Sequence, residues 1–310
     1  MISVALAAYN GEKYIEQQLE SLRLQTVPPD EVMICDDCSS DRTAEICRSF
    51  IEKNGLSGWS VEINGENMGY CRNFYGAVEK THGDIIFLCD QDDIWDKNKL
   101  EVMSDILSEH PELEMLSCRY RLADGEGNVS DALSVPHYKA DFSGSLETVT
   151  AESLIGHSYI RGCASCFRKT VKERIKPIEL SNLLGHDWQI AMLSSLGGGA
   201  AIINLPLMSY RCHSGNASFS ANPVRKREKR IKGLEESAAG HTAVLPYVKD
   251  GALAKKISGF ISFEKRRIKL LQGRNLLLWL ALGFNIRQYR RYYAGNGLRV
   301  WFGDLAYIFK

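Results

Sequence analysis

The stretch ISVALAAYNGEKYIEQQLESL, residues 2–22, joins a short apolar run to a segment with helical periodicity. Ile2–Ala8 carries no charge and is followed by an Asn-Gly turn, a pattern typical of a buried parallel strand. The next segment has three apolar residues at helical spacing: Ile15, Leu19 and Leu22. Asn10 stands where it could cap this helix. The stretch therefore predicts a strand followed by a helix that packs on a sheet.

The same alternation continues through the first 120 residues. Further strands are predicted at 31–35, 60–63, 84–89 and 113–118. Further helices are predicted at 41–54 and 69–81, and a fourth helix is expected to begin at Asp96 as its cap. Residues 158–210 predict short strands and a helix near Trp188–Ser195. This order indicates right-handed βαβ units and the α/β class, with a Rossmann-like, mostly parallel central sheet.

Composition indicates a folded domain with an appended basic region. The chain has 310 residues, of which 45% are apolar and 25% charged, an ordinary globular balance. Residues 1–224 hold 19 Lys and Arg against 32 Asp and Glu, whereas residues 225–310 hold 19 against 6. The second segment also has helical patterning. We therefore predict one large α/β domain over 1–224 and a basic, mostly helical extension over 225–310.

The basic extension suggests an anionic partner. Its cations alternate with apolar and aromatic residues, which suits an anionic membrane surface; packing on the acidic domain, or in a homodimer, explains the same pattern. No nucleic-acid-binding module is recognisable. The apolar run Leu276–Phe284 is far shorter than the about 20 residues of a spanning helix, and the N-terminus lacks the basic start of a signal peptide. The expected location is the cytoplasm, with the inner face of the membrane as a peripheral site.

Nine cysteines, an odd number, lie partly in strand-like runs. This favours reduced thiols over a disulfide framework.

The strongest chemical signal is Leu88–Trp95, where three carboxylates follow an apolar strand: Asp90, Asp92 and Asp93. Clustered carboxylates repel one another, and a hard divalent cation, Mg²⁺ or Mn²⁺, would relieve that repulsion through oxygen ligands. Acidic residues also favour helix N-termini, so a simple acidic cap is the alternative. The position at the carboxyl end of a strand favours a metal and phosphate site.

Two further segments fit a nucleotide. Asp37 follows the second strand, where a carboxylate can accept the N3–H of uracil or thymine; turn and cap chemistry is the alternative. Gly69 opens the third helix and Arg72 lies on its first turn, which suits an anionic diphosphate, although a solvated arginine would look the same.

Two later residues are candidates for reaction and metal binding. Asp187, beside Trp188, could act as a general base or as a helix cap. His213 could be a further metal ligand, could touch phosphate, or could be structural.

Taken together, these motifs resemble the family 2 glycosyltransferases, which have the A-type glycosyltransferase fold. The resemblance covers roughly residues 1–220. It is carried, in order, by the opening strand with its loop, the acid segment at Asp36–Asp41, Asn67-x-Gly69 with Arg72-Asn73, the acidic segment Asp90–Trp95 in a form frequent in rhamnosyltransferase-like members, His186-Asp187-Trp188, and Tyr210-Arg211-x-His213. The base motif reads His-Asp instead of the commoner Glu-Asp, and we expect His186 to affect acceptor choice.

The resemblance implies a role for each matching residue. Ala8, Tyr9, Glu12 and Asp37 would hold the pyrimidine nucleoside, and Asn67, Gly69 and Arg72 would lie near it and the diphosphate. Asp90 and Asp92 would bind nucleotide and metal with help from His213, and Asp93 would touch the donor sugar. Asp187 would deprotonate the acceptor hydroxyl.

The function that the resemblance implies is an inverting, metal-dependent hexosyl transfer. The donor would be dTDP-rhamnose or a UDP-sugar, and the acceptor a glycan, which could be lipid-linked, in cell-surface polysaccharide assembly. A nucleotidyltransferase of similar fold would need a Gly-rich basic loop after the first strand, which this sequence lacks. A non-catalytic nucleotide-binding or scaffold protein is the other alternative, and the intact acids argue against it.

Overall fold

The structure is a computed structural model that describes residues 1–130, 142–175, 184–213, 227–273, 275–292 and 296–308. Its strands are β1 Ile2–Ala8, β2 Glu31–Asp36, β3 Trp59–Ile63, β4 Ile85–Asp90, β5 Ile94–Trp95, β6 Met115–Ala123, β7 Val129–Ser130, β8 Leu146–Val149, β9 Ser165–Arg168 and β10 Ala200–Arg211. Its helices are α1 Ile15–Arg23, α2 Thr43–Asn54, α3 Tyr70–Lys80, α4 Lys99–Glu109, α5 Lys169–Lys172, α6 His186–Leu196, α7 Arg227–Val244, α8 Gly251–Gly273, α9 Leu276–Gly283, α10 Ile286–Tyr289 and α11 Gly297–Ile308. Short 3₁₀ turns lie at Gly162–Ala164, Leu245–Tyr247 and Arg290–Tyr292.

These elements confirm the predicted α/β class. Most strands form one sheet in the order β3-β2-β1-β4-β9-β6-β10-β5, with β7 paired to β6 and β8 to β10. The four strands β3, β2, β1 and β4 run parallel to one another, and β6 and β10 run parallel to each other. Strand β9 runs antiparallel between β4 and β6. The strand order reverses across β1, since β2 and β4 flank it, and this is where ligands bind in such sheets.

Helices cover both faces of the sheet and bury two apolar clusters against it. One cluster includes Leu19 and Leu22 of α1, and the other includes Phe74 of α3 and Trp188 of α6. The predicted apolar stripe of α1 is confirmed, because Ile15, Leu19 and Leu22 are fully buried. All nine cysteines lie in the described residues and are free thiols.

Two predicted helix caps are wrong. Helix α1 begins at Ile15, beyond the reach of Asn10, whose side-chain oxygen accepts a hydrogen bond from the Ser40 backbone N–H at 2.9 Å. Helix α4 begins at Lys99, and the Asp96 carboxylate pairs with Arg121 on β6. In both cases a contact from a distant part of the chain competes successfully with local capping.

The C-terminal region is helical, as predicted. Helices α7 to α11 bury a third apolar cluster that also takes in Ile155, from the stretch between β8 and β9. Val244 of α7 belongs to the cluster under α3 and α6. The predicted boundary between residues 224 and 225 lies outside the described residues, so the division into two domains stays a prediction.

Candidate active site

The carboxyl ends of three adjacent strands place the predicted site residues at one edge of the sheet. Ala8 on β1 pairs in register with Asp36 on β2, and Ala7 pairs with Asp90 on β4. Tyr9, Asp37 and the acidic segment therefore leave the sheet side by side. The parallel register alone brings together residues that are more than 80 positions apart in the chain.

Asp37 organises the loop before α3. Its carboxylate is almost fully buried and accepts backbone N–H bonds from Met68 at 2.8 Å and Gly69 at 2.9 Å, and a side-chain bond from Asn64 at 2.8 Å. Gly69 has φ +82°, a left-handed conformation that favours glycine. The predicted nucleoside residues Asp37, Asn67 and Gly69 thus lie together, because Asn67 Nδ2 also donates to the Asp37 carbonyl at 3.3 Å.

Two other predicted donor residues lie at the margin of this loop cluster. Glu12 is exposed, and its carboxylate accepts a hydrogen bond from the Arg42 backbone N–H at 3.1 Å, beside the start of α2. Arg72 is exposed on the first turn of α3. The structure therefore gives Glu12 a local structural contact in addition to its predicted role.

Gln91 is a residue that sequence reasoning did not assign. Its side-chain oxygen accepts from the Tyr9 backbone N–H at 2.8 Å, and its amide nitrogen donates to the Tyr9 carbonyl at 2.9 Å. This two-way bond ties the end of β1 to the acidic segment after β4. A Cβ on Gly11 would lie 2.1 Å from the Gln91 oxygen, so a larger residue there would displace the Gln91 amide from Tyr9. The Ala-Tyr-Asn-Gly turn was the available signal.

The acidic segment forms a compact cluster with His213, which follows β10, and with Cys163 in the 3₁₀ turn before β9. His213 Nε2 lies 2.8 Å from Asp92 Oδ2. Asp90, Asp93 and the Cys163 thiol form a group whose ligand atoms all lie within 4.8 Å of one another. Burial and then the neighbouring Asp92 carboxylate raise the pKa of Asp90 to about 7. The same two causes raise the pKa of Asp93 well above its usual range.

The donor atoms of this cluster fit a divalent cation. Carboxylate oxygens and an imidazole nitrogen suit Mg²⁺ or Mn²⁺, whereas the Cys163 thiol does not. Asp93 Oδ2 is buried and has no hydrogen-bond partner among the described residues. An unpaired buried carboxylate oxygen and raised carboxyl pKa values both indicate a shortage of positive charge. The carboxylate oxygens therefore fit a divalent cation. The ligand set Asp90, Asp92 and His213 stays a prediction, because the group that the structure brings together is Asp90, Asp93 and Cys163.

Two buried cations bond the backbone of the acidic segment and of the adjacent 3₁₀ turn, and neither was among the predicted site residues. Arg211 Nε donates to the Asp92 carbonyl at 2.7 Å, and the Arg211 backbone N–H donates to Asp93 Oδ1 at 3.2 Å. Lys99 Nζ donates to the Cys163 carbonyl at 2.6 Å. These side-chain bonds go to carbonyl groups and so position the backbone, and the charge of Arg211 also lowers the pKa of Asp92 against the opposing effect of burial.

The predicted base lies in the first turn of α6. Asp187 is half-buried, and its Oδ1 accepts from the Trp188 backbone N–H at 2.7 Å. The charge of Asp187 contributes to the raised pKa of Asp90, so the two carboxylates are close enough to interact. A Cβ on Gly162 would lie 3.6 Å from Asp187 Cβ and 2.8 Å from His186 Nε2. The 3₁₀ turn that begins at Gly162 therefore brings α6 close to the acidic segment.

A half-buried arginine also faces this cluster. The Arg161 guanidinium lies 4.9 Å from the centroid of the Tyr210 ring, and its Nε donates to the Tyr120 hydroxyl at 3.4 Å. Its charge lowers the pKa of both Asp90 and Cys212 against the opposing effect of burial. No single motif indicated Arg161, since it precedes a short strand in an otherwise irregular stretch.

Comparison with known proteins agrees with this geometry. The sequence profile of glycosyl transferase family 2 matches residues 3–173, more than half of the chain. The chain belongs to this family, whose members use nucleotide sugars as donors. It has the A-type glycosyltransferase fold.

The chain is also similar to individual glycosyltransferases. The chain is 23% identical over 240 residues to the dTDP-rhamnosyl transferase RfbG of Shigella flexneri, covering 73% of this chain and 78% of RfbG. It is 32% identical over 127 residues to the poly(ribitol-phosphate) beta-N-acetylglucosaminyltransferase TarS of Staphylococcus aureus, covering 40% of this chain and 22% of TarS. The crystal structure of TarS in complex with UDP-GlcNAc matches with a TM-score of 0.65 at 19% identity, over 99% of this chain and 90% of that chain.

Proposed function

We propose that this chain is an inverting, metal-dependent glycosyltransferase that moves a hexose from a dTDP- or UDP-sugar to a hydroxyl of an acceptor glycan, in the assembly of a cell-surface polysaccharide. The observation that carries the proposal is the convergence of Tyr9, Asp37 and the acidic segment at one sheet edge, at the point where the strand order reverses. Family membership supplies the class of donor.

The donor would lie across the ends of β1, β2 and β4. Ala8, Tyr9 and Asp37 are proposed to hold the base and ribose. Asp37 Oδ2 accepts one hydrogen bond in the described structure, from Gly69, which leaves acceptor capacity for the N3–H of a uracil or thymine. Gly69 and Arg72, at the start of α3, are proposed to bind phosphate oxygens.

Asp90, Asp92 and His213 are proposed to hold Mg²⁺ or Mn²⁺, which would supply positive charge to the departing diphosphate. Gln91 and Arg211 keep this segment in register with the nucleoside loop through the contacts described above. Asp93 is proposed to accept a hydrogen bond from a sugar hydroxyl, because its Oδ2 has no partner among the described residues.

Asp187 is proposed to take the proton from the acceptor hydroxyl as that oxygen attacks the anomeric carbon. The new bond joins the acceptor oxygen to that carbon, and the bond from the carbon to the diphosphate oxygen breaks with its electron pair leaving on the nucleotide. Attack from the face opposite the leaving group inverts the anomeric configuration. One displacement needs one base on the acceptor side, which agrees with a single carboxylate on α6.

Rhamnose is the proposed sugar, and dTDP-rhamnose therefore the first donor to test. The support is the form of the acidic segment and the similarity to RfbG over most of both chains. TarS, whose name states a different sugar, matches over a smaller part of this chain. A UDP-sugar is the alternative, because uracil and thymine present the same N3–H to Asp37.

A thermal-shift panel tests the proposal directly. The full chain is melted with Mn²⁺ and each of dTDP-rhamnose, UDP-glucose, UDP-N-acetylglucosamine and GDP-mannose, and release of nucleoside diphosphate is then measured for each ligand that binds. We expect dTDP- or UDP-sugars, and not GDP-mannose, to raise Tm and to be turned over. No rise with any of the four would contradict the proposal. Binding with no release under any condition would indicate a non-catalytic nucleotide-binding protein, and pyrophosphate release from dTTP with a sugar 1-phosphate would indicate a nucleotidyltransferase.

A further inference from the structure

Helix α9 presents apolar side chains on both of its faces. Trp279 and Leu282 are buried in the C-terminal apolar cluster. On the outer face Leu277 is 78% exposed and Leu280 50% exposed, and Phe284, just after the helix, is 95% exposed. These three positions recur at intervals of three and four residues, so they lie along one side of the helix. A row of large exposed apolar residues is unusual on a protein surface.

Helix α11 extends this surface. The Trp301 ring stacks on the Trp279 ring with centroids 4.2 Å apart, and each indole N–H donates to the carbonyl of the other tryptophan at 3.0 Å. The ring centroids of Phe302 and Trp279 lie 6.1 Å apart. Phe302 is 53% exposed, and Leu298, one turn earlier on α11, is 55% exposed. We define the apolar patch as five residues: Leu277 and Leu280 on α9, Phe284 just after α9, and Leu298 and Phe302 on α11.

The exposed charged side chains among the described residues of 265–310 are all positive. Residues 265–310 contain a single carboxylate, Asp304, which is fully buried and paired with Arg267 and Arg230. The exposed cations among the described residues of this region are Lys265, Arg266, Lys269, Arg287, Arg290 and Arg299. Arg266 Nη2 lies 3.3 Å from the side-chain oxygen of Asn285, the residue after Phe284. Cations therefore border the apolar patch directly.

We propose that the apolar patch and its bordering cations bind the interface of an anionic lipid bilayer. Leucine and phenylalanine side chains enter the boundary between headgroups and acyl chains, and arginines beside them bind lipid phosphates. The patch lies on the surface and does not cross the bilayer, because no helix in the described ranges is long and apolar enough to do so. Binding of lipid does not depend on the donor or the reaction proposed above.

Charge argues against a second copy of the chain as the occupant. A two-fold interface built on this patch would bring the same surface together with itself. Arg266 and Arg287 would then approach other arginines, with no exposed carboxylate in the described part of 265–310 to separate them. An anionic surface removes this repulsion.

The apolar patch is firmly connected to the catalytic part of the chain. The Gly156 backbone N–H donates to His241 Nε2 at 3.1 Å, and Arg291 Nη1 donates to the Glu152 carbonyl at 3.0 Å. Both contacts join the C-terminal helices to the loop that continues to Gly162 and the acidic segment. A bilayer bound at the patch would therefore hold the active site at a fixed position, which suits an acceptor carried on a lipid.

Vesicle co-sedimentation of the full chain tests the proposal. The probes are vesicles of phosphatidylcholine alone and of equimolar phosphatidylcholine and phosphatidylglycerol. We expect binding to the anionic vesicles, weakened by salt. The double variant Leu277→Ser with Phe284→Ser should bind them at least about tenfold more weakly, because both side chains lose their apolar contact with lipid. Arg266→Gln with Arg287→Gln should also lose about tenfold.

The controls use exposed residues outside the patch: Leu24→Ser for the apolar pair, and Arg48→Gln with Lys53→Gln on α2 for the cations. Equal vesicle binding by wild type and both patch variants would overturn the proposal, as would no binding of the wild-type chain to anionic vesicles. A wild-type dimer that Phe284→Ser converts to monomer, with vesicle binding unchanged, would overturn it in favour of a second copy. Nucleotide-sugar binding, followed by thermal shift, should be the same in all variants, so a failure here is distinct from a failure of the proposed reaction.

Discussion

At the scale of single residues, Lys99 shows how a buried cation can position a site without taking part in its chemistry. The side chain is fully buried, and Nζ lies 3.5 Å from the centroid of the Trp95 ring. Nζ also donates a hydrogen bond to the Cys163 carbonyl. Trp95 ends the acidic segment, and the Cys163 thiol lies within 4.8 Å of carboxylate oxygens of Asp90 and Asp93. One ammonium group thus joins the two stretches of chain that surround Asp90 and Asp93.

Replacing Lys99 by methionine tests whether this buried ammonium group positions the acidic segment. Lys99→Met keeps most of the side-chain volume but leaves the Cys163 carbonyl unpaired in the interior. We expect the free energy of unfolding to fall by about 1–3 kcal/mol and nucleoside diphosphate release to slow. Urea unfolding and the release assay measure the two effects. Lys97→Met, at an exposed neighbouring position, is the control; if both variants behave alike, Lys99 has no positioning role.

Asp187→Asn should remove the proposed base while preserving its shape. We expect transfer to fall by about 10²–10⁴-fold, the usual contribution of a general base, while the Tm rise caused by the donor is unchanged. Asp105→Asn, at an exposed acid on α4, is the matched control. Transfer at nearly the wild-type rate by Asp187→Asn would place the base elsewhere.

The acids of this site could be predicted from the sequence, whereas the residues that hold them could not. Asp37, Asp90 and Asp187 stand out because each lies in a segment that matches a family motif, although turn and cap chemistry would explain each of them taken alone. Lys99 and Arg211 do not stand out, because lysine and arginine are usually exposed and only tertiary structure shows that these two are buried. The partnership of Gln91 with Tyr9 depends on the register between β1 and β4, which one sequence does not specify.

At the scale of elements, the 3₁₀ turn at Gly162–Ala164 controls how closely α6 approaches the acidic segment. Gly162→Ala would place a methyl group against His186 and displace the first turn of α6. Because small misplacements of reacting groups are costly, we expect a fall of about 10²-fold in kcat. Gly76→Ala on α3, where an added Cβ meets nothing within 4 Å, is the control. The prediction is wrong if the two alanine variants turn over donor equally well.

His186 links α6 to α3 and makes this contact sensitive to acid. Its ring stacks on Phe74 with centroids 4.1 Å apart, and burial lowers its pKa. The fold therefore favours the neutral ring, and the unfolded chain takes up the proton first. The contribution of His186 to the free energy of unfolding is complete above the usual histidine pKa of about 6.5. This contribution is lost as pH falls through the lower pKa of the folded state.

We expect the free energy of unfolding to fall below pH 6.5 by at most about 1.4 kcal/mol per pH unit for this histidine. Urea unfolding at a series of pH values measures the slope. His186→Gln should make the slope shallower. The same slope in the wild-type protein and in His186→Gln would show that His186 is not the titrating group.

Strand and helix positions near the N-terminus were predictable because each element carries its own periodicity. Strands β1 to β4 begin within one residue of their predicted positions. The place of β9 was not predictable, since an antiparallel strand between β4 and β6 depends on contacts between distant segments. The same reason accounts for the two wrong caps, where Asn10 and Asp96 bind partners that local sequence does not reveal.

At the scale of the whole molecule, the C-terminal helices are part of the packed structure. Ser237, His241 and Glu264 form a buried polar network between α7 and α8, and His241 also accepts the Gly156 N–H. Basic composition predicted an appended helical extension that could pack on the acidic domain, and composition does not show which apolar residues lie underneath it. The apolar clusters show that Ile155 and Val244 cross the predicted division.

Removal of residues 227–310 should therefore damage the remainder of the chain. The truncated protein would expose Ile155 and lose the packing of Val244, and we expect a lower Tm, increased binding of a hydrophobic dye and partial aggregation. Phe284→Ser, which alters only an exposed side chain of the full protein, should retain the wild-type Tm. A truncated chain that melts like the full protein would show that residues 1–226 form an independent domain.

The unequal distribution of charge has a consequence for how the molecule meets a surface. Positive and negative groups balance in total, so the chain has no net attraction to a distant bilayer. Their separation along the chain gives an electric dipole, and an anionic surface exerts a torque on a dipole before contact. The field decays over about 8 Å at physiological ionic strength, so the alignment acts only at close approach. Each encounter would then begin with the α9 and α11 end turned toward the lipid, which shortens the search for a productive orientation.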